Sequence, residues 1–142
     1  MVARMKNNKI GKIDIAELNV PPEKHEYETA KYFAKRGCNV KFIKPSDVKG
    51  FNSPDFKICG KIWETKSPLS DNLESIKRRL VQATKQSEHI IFDLRRINAK
   101  NETKILRVLE KGSKTAKVKT LLVITKDGRL LTIKGKFGNI TA

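Results

Sequence analysis

The stretch Ser53-Pro54-Asp55-Phe56-Lys57-Ile58-Cys59-Gly60-Lys61-Ile62-Trp63-Glu64-Thr65-Lys66 carries the information that decides the fold. Two runs that suit β-strands, 55–58 and 61–66, flank Cys59-Gly60, and a two-residue loop there makes a hairpin. In that register Ile58 faces Lys61, Lys57 faces Ile62, Phe56 faces Trp63 and Asp55 faces Glu64. Side chains alternate between faces. Asp55, Lys57, Ile62, Glu64 and Lys66 therefore share one face, and Phe56, Ile58, Trp63 and Thr65 the other. Two carboxylates directly opposite each other stand about 5 Å apart at Cβ and repel. A divalent cation reverses the sign of that interaction. Mg2+ binds through one or two carboxylates and keeps several waters, as phosphoryl-transfer sites require. Lys66, two residues beyond Glu64 on the same face, brings an ammonium to an attacking water or to charge developing on phosphate. Phe56 and Trp63, away from the acids, read as a core pair.

Outward from this stretch the elements alternate. On the N-terminal side, Pro21-Pro22 lead into a helix with Glu23, Glu26 and Glu28 in its first turns, Lys35 and Arg36 at its end and Gly37 after it. Acid first, base last and glycine beyond suit the helix dipole and cap chemistry. Ala30, Phe33 and Ala34 mark its core face. Glu26 lies one turn earlier on that face, whereas Glu28 points about 200° away from Glu26, toward water. A strand at 40–43 and a loop at 44–54 complete the approach to the hairpin. On the C-terminal side, Pro68 stops the second strand. A long helix follows, opened by Asp71 with Glu74 at capping-box spacing and closed near Gln86. Leu73, Ile76, Leu80 and Ala83 recur at helical period. A buried-type strand at 89–94, a helix at 101–111, and strands at 121–124 and 130–133 around Lys126-Asp127-Gly128 finish the chain. Residues 1–20 read as a basic arm with one short strand. Residues 21–142 read as one α/β domain, a mixed central sheet with an αβββαβ core and flanking helices.

The composition narrows the partner. The 142 residues include 31 Lys and Arg against 15 Asp and Glu, for a net charge of +16. Such a surplus favours a polyanion, nucleic acid ahead of an anionic membrane surface. Lys and Arg recur through the C-terminal third, including Lys100, Lys104, Arg107, Lys111, Arg129 and Lys136. They suggest an electrostatic track for a phosphate backbone. No aromatic platform interleaves them, which argues against a single-strand reader. No apolar run reaches the roughly 18 residues of a membrane span, and positions 1–20 hold no signal-peptide core. Cys38 and Cys59 form no metal-type cluster with His25 and His89, and both cysteines are expected to be reduced and partly buried.

Pro54-Asp55 followed by Glu64-x-Lys66 resembles the PD-(D/E)XK nuclease superfamily, whose core has the αβββαβ order read above. Further runs resemble the CdiA-type C-terminal nuclease domain over about residues 23–133. They are His25-Glu26 with Thr29-Ala30, Trp63-Glu64-Thr65-Lys66-Ser67-Pro68, Gln86-Ser87, Ile90-Ile91-Phe92-Asp93-Leu94-Arg95-Arg96 and Leu121-Leu122-Val123-Ile124. That family includes toxins of contact-dependent growth inhibition and relatives on mobile elements; its members cleave tRNA, and related toxins cut DNA. The resemblance implies a metal-dependent endonuclease, with tRNA the favoured substrate and DNA the alternative. Asp55 and Glu64 would hold Mg2+ or Mn2+, with Zn2+ a further candidate. Glu26 would add a third carboxylate, Lys66 would assist water activation, and Gln86 would orient water or phosphate. Lys77, Arg78, Lys85, Arg95 and Arg96 are the candidate nucleic-acid contacts. An acidic immunity protein would complement the basic surface, and the place of action would be cytoplasm, of a target cell after delivery. The competing expectation is a non-catalytic basic nucleic-acid-binding protein.

Overall fold

The computed structural model describes residues 9–45, 55–115 and 117–137. Ser53 and Pro54 of the acidic motif, most of the expected 44–54 loop and the first eight residues of the arm lie outside the described residues. Among the described residues are seven strands, three α-helices and one short 3-10 turn, a mixed α/β fold. The chain divides into two compact units, one running through Ile62 and the other Trp63–Phe137.

The first unit holds β1 (Ile13–Asp14), α1 (Lys24–Lys35), β2 (Val40–Phe42) and β3 (Phe56–Ile58). β1 runs parallel to β2, with Ile13 opposite Val40, and β2 runs antiparallel to β3, with Val40 opposite Ile58 and Phe42 opposite Phe56. Alternation along these short strands is clean: Val40, Phe42, Phe56 and Ile58 are buried, while Lys41 and Lys57 face water. Phe42 and Phe56 meet edge to face, centroids 5.4 Å apart, a favoured aromatic geometry. α1 buries Thr29, Ala30, Tyr32, Phe33 and Ala34, the face expected from its sequence. At its start the Glu23 amide donates to Glu26 Oε1 at 3.1 Å. At its end the amides of Arg36 and Gly37 donate to the carbonyls of Phe33 and Ala34, and Gly37 takes φ +92°, a left-handed stop that glycine permits. The single strand expected in the arm is β1. The Gly11 amide donates to the Ala34 carbonyl at 2.7 Å, and the Val40 amide to the Lys12 carbonyl at 2.8 Å.

After β3 the chain turns through Cys59 (φ 51°) and Gly60 (φ 79°). Two successive positive φ values make the type I′ turn that suits a two-residue hairpin loop, as the spacing predicts. β4 (Lys61–Lys66) follows and leads into the second unit.

That unit adds α2 (Leu73–Thr84), β5 (His89–Asp93), the 3-10 turn Ala99–Asn101, α3 (Glu102–Thr115), β6 (Thr120–Ile124) and β7 (Leu130–Lys134). β4, β5 and β6 are mutually parallel, with Glu64 opposite Ile90 and Ile90 opposite Leu121; β7 pairs antiparallel with β6. The series α1-β2-β3-β4-α2-β5 is the αβββαβ order read from the sequence. Ile76, Leu80 and Ala83 of α2, Ile105 and Leu109 of α3, Ile90 and Phe92 of β5, and Leu121 and Val123 of β6 form one core. Each such large apolar side chain contributes about 1.5–3 kcal/mol on burial. β6 is buried on both faces, as parallel strands with continuous apolar runs are.

Two local expectations are corrected. The N-cap of α2 is Asn72, whose Oδ1 accepts from the Ser75 amide at 2.9 Å; Asp71 instead accepts from Asn101 Nδ2 at 3.0 Å. Both residues can cap, and the long-range bond to Asn101 occupies Asp71. α3 also runs on through Gly112 to Thr115, past the expected end at 111. A Cβ at Gly112 would lie 2.8 Å from Leu80 Cδ2, so glycine there serves close helix packing.

Gly11 tests the docking of β1. A Cβ there would stand 1.9 Å from the Cys38 carbonyl oxygen. Gly11→Ala is therefore expected to cost about 2 kcal/mol, read as a lower urea midpoint with an unchanged slope.

Candidate active site

In the second unit β4 is buried over three consecutive residues, Trp63, Glu64 and Thr65. Trp63 packs against His89 at 5.2 Å and edge-on against Phe137 at 5.1 Å. The core role expected of Trp63 holds, with these two rings as neighbours; Phe56 has Phe42. His89 Nδ1 lies 3.0 Å from Thr120 Oγ1.

Glu64 points to the other face and is only 3% exposed. A carboxylate so buried needs a nearby counter-charge. Lys66 Nζ supplies it at 3.2 Å from Glu64 Oε2. The same ammonium donates to Gln86 Oε1 at 3.5 Å. Gln86 sits just past the end of α2, its amide on the Ala83 carbonyl. Three of the five residues singled out from the sequence thus come together, with Glu64 and Gln86 both on the Lys66 ammonium. The i, i+2 spacing on a strand puts Glu64 and Lys66 on one side, and the end of α2 brings Gln86 to them.

Glu26 and Asp55 belong to the first unit. Burial pushes the Glu26 carboxyl above its ordinary range, and the Asp55 carboxylate adds to the rise against the lowering hydrogen bond from the Glu23 amide. Asp55 precedes β3, and its carbonyl accepts from the Ile43 amide. Glu28 is 46% exposed and pairs with Lys31 at 3.6 Å, in keeping with its outward placement. Among the described residues, no three His, Cys, Asp or Glu side chains gather as a metal cage. The carboxylates present are hard oxygen donors, the type that shares Mg2+ or Mn2+ with water.

The basic candidates differ in their engagement. Arg95 forms a two-pronged pair with Asp93, Nε to Oδ1 at 2.9 Å and Nη2 to Oδ2 at 2.7 Å. Arg96 Nη1 donates to the Ser67 carbonyl at 3.1 Å, fastening the residue after Lys66. Both arginines thus have structural work at the carboxyl ends of β4 and β5. Lys77 and Arg78 lie on the exposed face of α2, Lys77 within 3.8 Å of Glu74, and Lys85 is exposed at its C-cap. The partnership of Arg96 with Ser67 escaped the sequence reading, since a backbone carbonyl leaves no residue-type signal. No helix among the described residues is long and apolar enough to cross a membrane.

Two stability predictions follow from these charges. Lys66→Met would leave the Glu64 carboxylate buried beside an apolar chain and is expected to cost about 3 kcal/mol, whereas Glu64→Gln with Lys66→Met should recover most of it. Urea unfolding of both variants checks this. Glu26 has its pKa raised by folding, so the native state holds the proton more tightly than the unfolded chain. Its cost is absent at low pH and grows as pH rises above the ordinary 4.5. Glu26→Gln, which keeps an acceptor for the Glu23 amide, should match the parent near pH 4 and exceed it at pH 7 in metal-free urea titrations.

Comparison with known proteins agrees with this architecture. The model of the contact-dependent growth inhibition CdiA C-terminal domain matches residues 52–130, over half of the chain. A solved structure, the CdiA-CT/CdiI toxin and immunity complex from Burkholderia pseudomallei, is similar with a TM-score of 0.64. The similarity covers 87% of this chain and 99% of that one at 21% identity, a likeness of fold. Curated proteins return no match. With β4, its buried Glu64-x-Lys66 and the β5 and β6 strands all inside the matched segment, the chain belongs to the family of contact-dependent growth inhibition CdiA C-terminal toxin domains.

Proposed function

We propose that the chain is a metal-dependent nuclease of PD-(D/E)XK type that hydrolyses phosphodiester bonds, with tRNA as the favoured substrate. The observation that carries this is the buried Glu64 carboxylate paired with Lys66 two residues along β4, with Gln86 on the same ammonium. A purely structural role is poorly served by a buried ion pair, which an apolar pair of similar volume replaces at little cost or with a gain.

In the proposed reaction Asp55 and Glu64 are the metal carboxylates, taken from the hairpin register across the Cys59-Gly60 turn. A bound Mg2+ or Mn2+ supplies Lewis-acid stabilisation of phosphate charge. Lys66 orients the attacking water and offsets charge on the phosphoryl oxygens. Gln86 holds the Lys66 ammonium in place. Glu26, with its raised carboxyl pKa, is the candidate third acid. Water attacks phosphorus in line with the leaving oxygen. Lys77 and Arg78 on the exposed face of α2 and Lys85 at its C-cap are the candidate phosphate contacts, while Arg95 and Arg96 shape the strand ends. The net charge of +16 supports a polyanionic substrate and an acidic immunity protein as partner. The similar solved structure is itself a toxin and immunity complex. Action in the cytoplasm of a target cell belongs to the same proposal.

Cleavage of total tRNA and of plasmid DNA with Mg2+, Mn2+, Zn2+ or EDTA tests it. The expected result is metal-dependent loss of tRNA, slowed about 100-fold or more by Asp55→Ala. Loss of the plasmid alone would reassign the substrate to DNA. Fragments ending in 2′,3′-cyclic phosphate and formed in EDTA would discard water attack. Retention of both nucleic acids with no cleavage would replace the nuclease with a binding protein.

A further inference from the structure

The first unit contains a pocket of about 560 Å3 whose lining includes Lys12, Cys38, Lys41, Lys57 and Cys59, and the proposed nuclease chemistry uses none of them. Cys38 precedes β2 and is buried; Cys59 is exposed on the turn after β3, and both are free thiols. Both line this one pocket, at one end of the β2–β3 ladder. Val40 stands opposite Ile58, so Cys38, two residues before the one, and Cys59, one residue after the other, flank the same end of the ladder. Burial, with Cys59 as a neighbour, pushes the Cys38 thiol up to about 12. Cys59 also holds φ 51°, a turn position where Asn, Asp or Gly is the usual occupant. A cysteine kept in a left-handed conformation, beside a second cysteine and open to a pocket, points to chemistry at sulfur.

We propose that Cys38 and Cys59 form a thiol–disulfide exchange site that takes anionic small disulfides, of the glutathione disulfide class, through this pocket. Cys59 is the first nucleophile because it is exposed, whereas burial holds Cys38 protonated. Cys59 loses its proton to solvent, its sulfur bonds to one sulfur of the oxidant, and the other sulfur leaves as a thiolate. Cys38 then gives up its proton and attacks the Cys59 sulfur, releasing the second small thiolate. Two protein thiols are oxidised to one disulfide. The external disulfide is reduced to two thiols, which take up the two protons. In the lining the ammonium groups of Lys12 and Lys57 outnumber the one carboxylate, Asp14, and favour an anionic oxidant. Lys41 is shared with Glu17 at 2.8 Å.

The test treats the full chain with glutathione disulfide or with cystamine, a cationic disulfide, and follows intact mass, free thiols and a non-reduced digest. The expected product is two hydrogens lighter, has no free thiol and yields a Cys38–Cys59 linked peptide. Glutathione disulfide should react about 10-fold faster than cystamine at low salt. Cys38→Ser should stop at a mixed disulfide on Cys59, and Cys59→Ser should leave Cys38 unmodified. The wild-type digest decides the pairing even if a variant fails to fold. Two persistent thiols, or stable adducts without the linked peptide, would overturn the exchange site. Equal rates with the two oxidants would overturn its anion preference.

Discussion

A carboxylate buried to 3% exposure inside a strand constrains everything packed around it. Burying a carboxylate in such surroundings costs several kcal/mol unless opposite charge stands close by. Lys66 meets that need, and its own position depends on Gln86 at the end of α2 and on the chain direction just after it. Arg96, bonded to the Ser67 carbonyl, holds that direction. The ion pair therefore ties β4, the end of α2 and the segment after β5 into one mechanical set. Each member is placed by apolar packing: Trp63 on the opposite face of β4, Ile76, Leu80 and Ala83 along α2, Ile90 and Phe92 in β5.

The chemistry available to such a set follows from its rigidity. A lysine already aligned by a carboxylate and an amide needs little reorganisation when a substrate brings further negative charge, and preorganised charge of this kind is the main source of electrostatic catalysis. The strand ends are organised differently. Arg95 is held on Asp93 through two parallel hydrogen bonds, and Lys126 Nζ donates to the Arg95 carbonyl at 2.8 Å. Positive charge there is fixed in place, whereas on α2 Lys77 has only a long, exposed pairing with Glu74 and Arg78 is exposed.

Much of the architecture is legible in the sequence because its signals are local. The Cys59-Gly60 dipeptide between two strand-like runs specifies the turn, and both residues adopt positive φ. The inward face of α1 follows from the spacing of Ala30, Phe33 and Ala34, and strand periodicity puts Glu64 and Lys66 on one side, where the structure adds their ion pair. What escaped is long-range. Asp71 and Asn72 are equally good caps until Asn101, thirty residues away, engages the first of them. Nothing local in Cys38 announces Cys59. Their neighbourhood comes from the β2–β3 ladder, and the residues between those strands carry no periodic pattern that would set its register. Charge and place at a strand end suit Arg95 and Arg96 to a phosphate oxygen and equally to a local partner, and here they engage Asp93 and the Ser67 carbonyl.

The parallel pairing of Ile13 and Asp14 with β2 bears on where the folding unit begins. β1 uses few residues, but it covers the side of β2 that β3 leaves open, and α1 is the crossover that lets two parallel strands lie side by side. A chain started at residue 21 would present the backbone groups of β2 to solvent along that side. An uncovered strand edge recruits other chains, so such a truncation would trade a short basic segment for a tendency to self-associate. Ile13 and Asp14 thus act as an edge cover for β2.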